Sequence, residues 1–292
     1  MYEFIRTRND YPAAKWVKYL RISRSGYYDY IRRRESREKE DNARKHEIKR
    51  IFDDSGGTYG PDRINGILRR NGQTASYRKT RGYMDEMGLK SVHTKHKTKS
   101  LTNSKKARDD SKFPNYVRNM TIFAPRQAVC SDITYLKCGE GWLYLCTVKD
   151  IFTGELLGHS MSDRMTENLV IQAFLNAQGR HKLPRGIIFH SDRGSQYTSK
   201  NFMETLRMYG ITQSFSRIGK PGDNAWAESF FATLKKECIH FNQFATRDQL
   251  RYTVFAWIEG FYNTKRVQAR LGYCSPREYN ALFTAKWYQT PA

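Results

Sequence analysis

The chain has no apolar run near the roughly 18 residues that a membrane-spanning helix needs. Its first ten residues, MYEFIRTRND, hold no apolar stretch of the kind that drives secretion. No basic amphipathic helix with a wide apolar face is present, which argues against an anionic membrane surface as partner. Cysteines are few: the five, at 130, 138, 146, 238 and 274, are odd in number and never spaced C-x-x-C. A disulfide framework is therefore not expected, and buried thiols in a reducing, cytoplasmic setting are. His93-x-x-His96 has no cysteine pair at ligand spacing, so zinc is not expected either. Acidic residues are scarce, with 29 Asp and Glu against 51 Lys and Arg, giving a net charge of +22. What is present in quantity is apolar and aromatic: 39% hydrophobic and 14% aromatic residues exclude a wholly disordered chain. The 292 residues suffice for two domains.

The excess charge is uneven. Residues 1–113 carry 29 basic and 15 acidic residues, whereas residues 114–292 carry 22 and 14. Such an excess implies a polyanionic partner, and double-stranded DNA is the expected one. Two short helical units fit that partner. In the first (1–50), Trp16, Val17, Leu20 and Ile22 precede Ser23-Arg24-Ser25-Gly26, then Tyr27, Tyr28 and Ile31 follow, predicting helix, turn and helix. In the second (51–92), Ile64, Ile67 and Leu68 have helical spacing and Asn71-Gly72 ends the run. Ser76 then caps a helix with Tyr83, Met84 and Met87, closed by Gly88. Its polar face offers Arg78, Lys79 and Arg81 to phosphates or base edges, as Arg24 does in the first unit. Residues 93–113 form a basic linker of low apolar content.

Beyond it the pattern turns to strands. Val129–Lys137, Gly141–Asp150 and Gly154–Met161 read as an antiparallel meander. An amphipathic helix over Thr166–Arg180 buries Leu169, Val170, Phe174 and Leu175, and a buried strand follows over Arg185–His190. A helix near 200–209, a strand at 211–215 and a helix over Asp223–Cys238 complete an α/β layer fold at 114–245, with a helical segment at 246–292. Three acids stand out. Asp132 sits mid-strand, where a charge is costly unless something coordinates it. Asp192 sits at the carboxyl end of a strand, the edge where open α/β sheets place ligands. Glu228 lies in a largely apolar helix, with 35 residues between it and Asp192. Carboxylates arriving from separate elements suit a pair of Mg²⁺ or Mn²⁺ ions.

The surrounding motifs occur in order: Ser131-Asp132-Ile133-Thr134-Tyr135, His190-Ser191-Asp192-Arg193-Gly194-Ser195-Gln196-Tyr197, and Gly222-Asp223-Asn224-Ala225-x-Ala227-Glu228-Ser229-Phe230-Phe231. Over roughly residues 45–280 this closely resembles the insertion-sequence transposases of the IS-three family, the product of their second reading frame. The resemblance implies an RNase H-like core of the retroviral-integrase superfamily, a mixed five-stranded sheet with flanking helices, preceded by an all-α helix-turn-helix region. It implies that Asp132, Asp192 and Glu228 bind two catalytic Mg²⁺ ions, with Mn²⁺ as substitute, and it extends to Lys235, Tyr262-Asn263-x-x-Arg266 and Leu271-Gly272-x-x-Ser275-Pro276. It also implies a circular intermediate, formed when one element end attacks the same strand near the other. Asn224, Glu228 and Lys235, spaced i, i+4 and i+11, fall along one helical face, so Asn224 and Lys235 are candidate DNA contacts, together with Arg193. The chain departs from the family at Val129, where tryptophan is usual, at Gln268, where histidine is usual, and in the loop Arg217-Ile218-Gly219-Lys220-Pro221-Gly222.

The expected function is a DNA transposase that nicks element ends and joins the freed 3′-hydroxyls to another phosphodiester. Two other readings predict different things: an RNase H-fold nuclease would not join strands, and a non-catalytic regulator would lack at least one of the three acids. Ser191 and Ser195 have no activating base at an established spacing except His190, which is expected instead to pack at the strand end or support the metal shell. Synapsis of two ends requires a homo-oligomer on DNA. The chain begins at a Met and shows no heptad run, so the upstream-frame product, or a frameshift fusion with it, is expected to supply a coiled coil and an end-binding module. A bacterial, nucleoid-associated location follows from these expectations.

Overall fold

A computed structural model describes residues 1–8, 11–92 and 113–289. The chain divides into two compact units, Met1–Ser91 and Val92–Ala292. The pair His93/His96 and the expected linker, except Phe113, lie outside the described residues.

The first unit is all helical: α1 (Tyr2–Thr7), α2 (Ala13–Tyr19), α3 (Arg24–Asp54), α4 (Pro61–Arg70) and α5 (Tyr77–Glu86). Ser23 caps α3 by accepting the Gly26 N–H at 3.2 Å, and Ser76 caps α5 by accepting the Lys79 N–H at 3.3 Å. Both helix-turn-helix arrangements therefore form where the polar punctuation predicts them. The boundary expected at residue 50 does not coincide with a break, because α3 runs for 31 residues through it. After Gly26 its sequence holds no glycine or proline, and pairs such as Arg34–Glu38 and Lys49–Asp53, both at 2.8 Å, support successive turns. The helix stops at Ser55, where Gly56 and Gly57 take φ of +63° and +74°. The second half of α3 belongs to the second helical pair: the Tyr83 hydroxyl donates to Asp41 at 2.5 Å, and Lys45 pairs with Glu86 at 2.7 Å. Ile48, Ile51, Ile64, Leu68 and Met84 are buried.

The second unit is built on a mixed five-stranded sheet, β1 (Ala128–Cys138), β2 (Gly141–Asp150), β3 (Leu156–Ser162), β4 (Ile188–Ser191) and β5 (Thr212–Phe215), in the order β3-β2-β1-β4-β5. β1, β2 and β3 pair antiparallel, while β4 and β5 add in parallel. The predicted meander, crossover helix and parallel strand are all present. β4 is shorter than Arg185–His190 suggests, because Gly186 at φ +84° keeps the chain in a turn. On one face α6 (Glu167–His181) and α7 (Lys200–Met208) bury Leu169, Val170, Phe174 and Phe202 against Val129, Val148 and Phe189. Contact there is close enough that a Cβ on Gly158 of β3 would fall 2.5 Å from the Ala173 carbonyl. On the other face α8 (Ala225–Leu234) and α9 (Arg247–Trp257) pack Phe230, Leu234, Leu250 and Val254 on Leu136, Leu143 and Leu145. All five cysteines are free and buried.

The helix expected over 223–238 is three kinds of helix in succession: a 3₁₀ turn at Pro221–Asn224, α8, and a π turn at Lys235–Ile239. The π turn widens the coil by one residue and resets its phase, and Glu237 and Cys238 face the interior. The C-terminal segment follows α9 through a second π turn, Ile258–Tyr262, and ends in α10 (Pro276–Gln289). It is latched to the core. The Tyr262 hydroxyl donates to the Gly154 carbonyl at 3.2 Å, and the Asn263 amide both accepts the Leu156 N–H and donates to the Leu156 carbonyl, each at 2.9 Å. Arg266 reaches Glu237 with two bonds of 2.6 and 2.7 Å. Gln268, at the position where histidine is usual, donates its N–H to the Cys274 carbonyl at 3.0 Å. No helix among the described residues is long and apolar enough to cross a membrane.

Candidate active site

Asp132 is the fifth residue of β1, and Asp192 follows the last residue of β4. The parallel register pairs Ala128 with Ile188 and Cys130 with His190. Extended by two residues, that register brings Asp132 beside Asp192. Glu228 projects from the first turn of α8. The three acids line one cleft of about 330 Å³, together with Arg193, Ser216, Arg217 and Asn224. Among the described residues, however, no three acidic, histidine or cysteine side chains come together as a group that could hold a metal ion. The fold gathers the carboxylates into one cleft without closing them into one ligand set. Three like charges oppose closer approach unless positive charge is supplied.

The acids differ in surroundings. Burial pushes the Asp132 carboxyl up to about 7, and the charges of Asp192 and Glu228 add to the rise. The Ile133 N–H, donated at 2.8 Å, and the Lys235 ammonium oppose it. Asp192 is exposed and accepts the Gly194 N–H at 3.0 Å. Glu228 is an exposed residue whose carboxyl is raised by partial desolvation against the cleft. Lys235, at the start of the π turn, lies over the Tyr135 ring at 5.2 Å, and burial lowers its ammonium. Beneath the triad the Tyr197 and Ser131 hydroxyls are 2.8 Å apart, so the tyrosine of the second motif braces the strand that carries Asp132.

The wall opposite is a pinned loop. His190 is fully buried, with Nδ1 2.9 Å from the Ser214 hydroxyl and Nε2 3.1 Å from the Ser216 hydroxyl and 3.0 Å from the Asp223 carbonyl. Both ring nitrogens are thus engaged, and burial lowers the imidazole's affinity for a proton. The Ser191 hydroxyl turns to the Asp192 carbonyl at 2.9 Å. A serine nucleophile served by His190 is therefore not assembled, and the ring acts at the strand end as the sequence suggests. Arg217 grips Asp223 with Nε–Oδ2 and Nη2–Oδ1 bonds of 2.9 Å, which hold that carboxyl down at about 2. The Arg217 backbone N–H and the Asn115 amide each donate a further bond at 3.0 Å. Arg193 donates to the Ser216 carbonyl at 3.0 Å and lies over Phe113.

Asn224 is placed differently from Arg193 and Lys235. It is buried, lines the cleft, and donates one Nδ2 hydrogen to the Ser131 carbonyl at 3.2 Å, tying the start of α8 to β1. Arg78, Lys79 and Arg81 are exposed on α5, with Arg81 3.7 Å from Asp85. Arg24 is exposed over the Tyr28 ring. Sequence reasoning missed Arg217, Asp223 as its partner, and Lys149. The last is buried and donates to the Trp226 carbonyl at 2.8 Å, holding the first turn of α8. A lysine near the end of an otherwise apolar strand was the available signal.

Known proteins are similar to this chain in sequence. An integrase core domain matches residues 124–221, a second integrase core domain matches residues 209–276, and an HTH-like domain matches residues 38–97. The transposase for insertion sequence element IS904 of Lactococcus lactis is 38% identical over 80% of this chain and 91% of its own length. The insertion element IS600 31 kDa protein of Shigella sonnei is 36% identical over 93% and 98%. Transposase InsF for insertion sequence IS3A of Escherichia coli is 34% identical over 95% and 97%. Among solved structures, the HTLV-2 integrase catalytic core domain in complex with magnesium aligns at a TM-score of 0.41 and 18% identity, over 54% of this chain and 97% of that one. The strand order, the acid-lined cleft and relatives that span nearly the whole sequence lead to one conclusion: the chain belongs to the IS3 family of insertion-sequence transposases, polynucleotidyl transferases with an integrase catalytic core that act in DNA transposition.

Proposed function

We propose that the chain nicks the ends of an insertion sequence and joins the freed 3′-hydroxyls to a second phosphodiester, with Asp132, Asp192 and Glu228 as catalytic residues holding two Mg²⁺ ions, which Mn²⁺ replaces. The observation that carries this is the meeting of three carboxylates from separate elements in one cleft, with Asp132 raised to about 7. Their oxygen donors are of the hard kind that suits Mg²⁺, and a carboxylate so raised lacks countercharge. When bound, the ion pair supplies activation of the attacking oxygen and stabilisation of the departing one.

The chain's own residues do the rest. The Ile133 and Gly194 N–H groups fix the carboxylates of Asp132 and Asp192. Lys235, Arg193 and Asn224 meet DNA at the cleft, where Asn224 also holds the wall to β1. Arg24, Arg78, Lys79 and Arg81 meet double-stranded DNA, the element's terminal repeats among it, and the C-terminal segment keeps α8 in place. A homo-oligomer joins two ends, the upstream-frame product or a frameshift fusion with it completes the assembly, and the protein works in the cytoplasm at the nucleoid. The test is incubation of DNA bearing the element ends with wild type and Glu228→Gln in Mg²⁺, Mn²⁺ or EDTA. Metal-dependent joining that is lost in the variant is expected. Nicking without joining would point to a nuclease, and unimpaired joining by Glu228→Gln would remove Glu228 from the site.

A further inference from the structure

Residues 1–30 hold eight aromatic residues and six lysines or arginines against three acids. This density exceeds what α1, α2 and the first turns of α3 need for a core. The structure sorts the rings into two sets. Tyr27 is buried with Ile5 and Val17, and Tyr2 packs on Tyr27 and Tyr30. The other set faces outward: Phe4, Tyr11, Tyr19 and Tyr28 are exposed, Tyr11 by 56% and Tyr19 by 79%. Phe4, Tyr11 and Tyr19 all stand edge-on to the Trp16 ring, at centroid distances of 5.5, 6.1 and 6.1 Å. Tyr11, Lys15, Trp16 and Tyr19 line a cleft of about 410 Å³.

Cations sit over these outward rings. Lys15 lies 5.6 Å from the Tyr11 centroid, Arg8 lies 5.0 Å from Phe4, and Arg24 lies 5.9 Å from Tyr28. Exposed flat rings are costly to leave in water, and the cations beside them match a polyanion. A duplex offers phosphates but keeps its base faces stacked inside. A single strand offers both at once, phosphates for the cations and free base faces for the rings. The chain's family acts on DNA, so the strand is DNA.

We infer that the outer face of the α1–α2 pair is a binding site for single-stranded DNA, with Tyr11, Trp16 and Tyr19 as the stacking platform and Lys15 and Arg8 as phosphate contacts. The site shares no residue with the basic face of α5 or with the acid-lined cleft. It goes beyond the proposed function by giving this transposase a grip on unpaired strands, and it does not depend on the metal-binding reading.

The test uses the full chain and two fluorescently labelled probes, a thymidine 20-mer and a duplex of equal length, with fluorescence anisotropy as readout. Tyr11→Ala/Tyr19→Ala removes rings that are mostly in solvent and leaves the buried set intact. Binding of the single strand is expected to weaken on the order of tenfold or more, while duplex binding changes by less than about twofold. Lys15→Gln should weaken single-strand binding less and flatten its dependence on salt. Arg78→Ala/Arg81→Ala should show the reverse pattern, with loss on the duplex and little on the single strand. Equal losses on both probes in the tyrosine variant, or no loss on the single strand, would overturn the inference. A tighter grip on a uridine 20-mer RNA would likewise overturn it. Strand joining in Mg²⁺, measured on the same preparations, reports separately on the catalytic proposal.

Discussion

The two units differ in where their charge pairs are buried. In the helical unit most ion pairs join residues three or four apart on one helix, as in Arg34–Glu38, Lys49–Asp53 and Arg50–Glu47, with side chains largely in water. The catalytic unit has exposed local pairs too, such as Lys200–Glu204 and Arg251–Asp248, but adds pairs that join distant segments through a buried carboxylate. Arg266 and Glu237 are 29 residues apart with side chains 6% and 0% exposed, and Glu155, which meets Arg277, is 3% exposed. Pairs of the first kind trim a helix and leave its cationic face open to a polyanion. Those of the second kind fix the frame behind the cleft. The lesson is that a high net charge says little about where charge bears on stability, which depends on burial and on how far apart in the chain the partners lie.

This contrast can be broken at graded cost. Arg266→Met removes the two-bond ion pair to the buried Glu237 carboxylate, and a loss of about 3–5 kcal/mol is expected in urea unfolding of the catalytic unit. A loss below about 1 kcal/mol would show that the pair is solvated. Next is Gly158→Ala, which forces a methyl group against the α6 backbone and should cost about 1–3 kcal/mol by the same measurement. Asp223 gives a smaller effect that is gated by pH. Its carboxyl falls from the ordinary 3.8 to about 2 through Arg217. A carboxyl lowered in the fold stabilises above its unfolded value and loses that contribution as pH falls through the folded one. The stability gap between wild type and Asp223→Asn should therefore be constant above about pH 5 and close between about pH 4 and 2. A gap that persists at pH 2 would deny the Arg217 pairing its role. The smallest effect belongs to the helical unit, where Lys49→Ala should change thermal stability by no more than about 0.5 kcal/mol.

The sheet and the three acids were legible because their signals are local. Alternation marks β1 to β3, an amphipathic helix demands a crossover, and each acid sits in a short motif. The unbroken course of α3 was not legible at residue 50, since the two helical units were read from apolar spacing and capping residues on either side of it, whereas the helix continues through a stretch without glycine or proline. The π turns at 235–239 and 258–262 carry no distinctive residue; they follow from tertiary demands, the first bringing Glu237 to Arg266. The Arg217–Asp223 clasp and the His190 network were likewise hidden, because which polar residues meet depends on how β4, β5 and the 216–224 loop converge. Glu228 was legible as one of the three expected acids, yet its exposure at the cleft was not, because burial is decided only once the fold has brought the separate elements together.

That exposure makes Glu228 the point on which the account turns. The most direct test compares Asp132→Asn, Asp192→Asn and Glu228→Gln in the strand-joining assay with Mg²⁺, each substitution removing one charge while keeping the side chain's size. The account predicts that all three reduce joining to the level seen in EDTA, with DNA binding retained. Joining at the wild-type rate by any one of them would contradict the claim that the three acids act as a set.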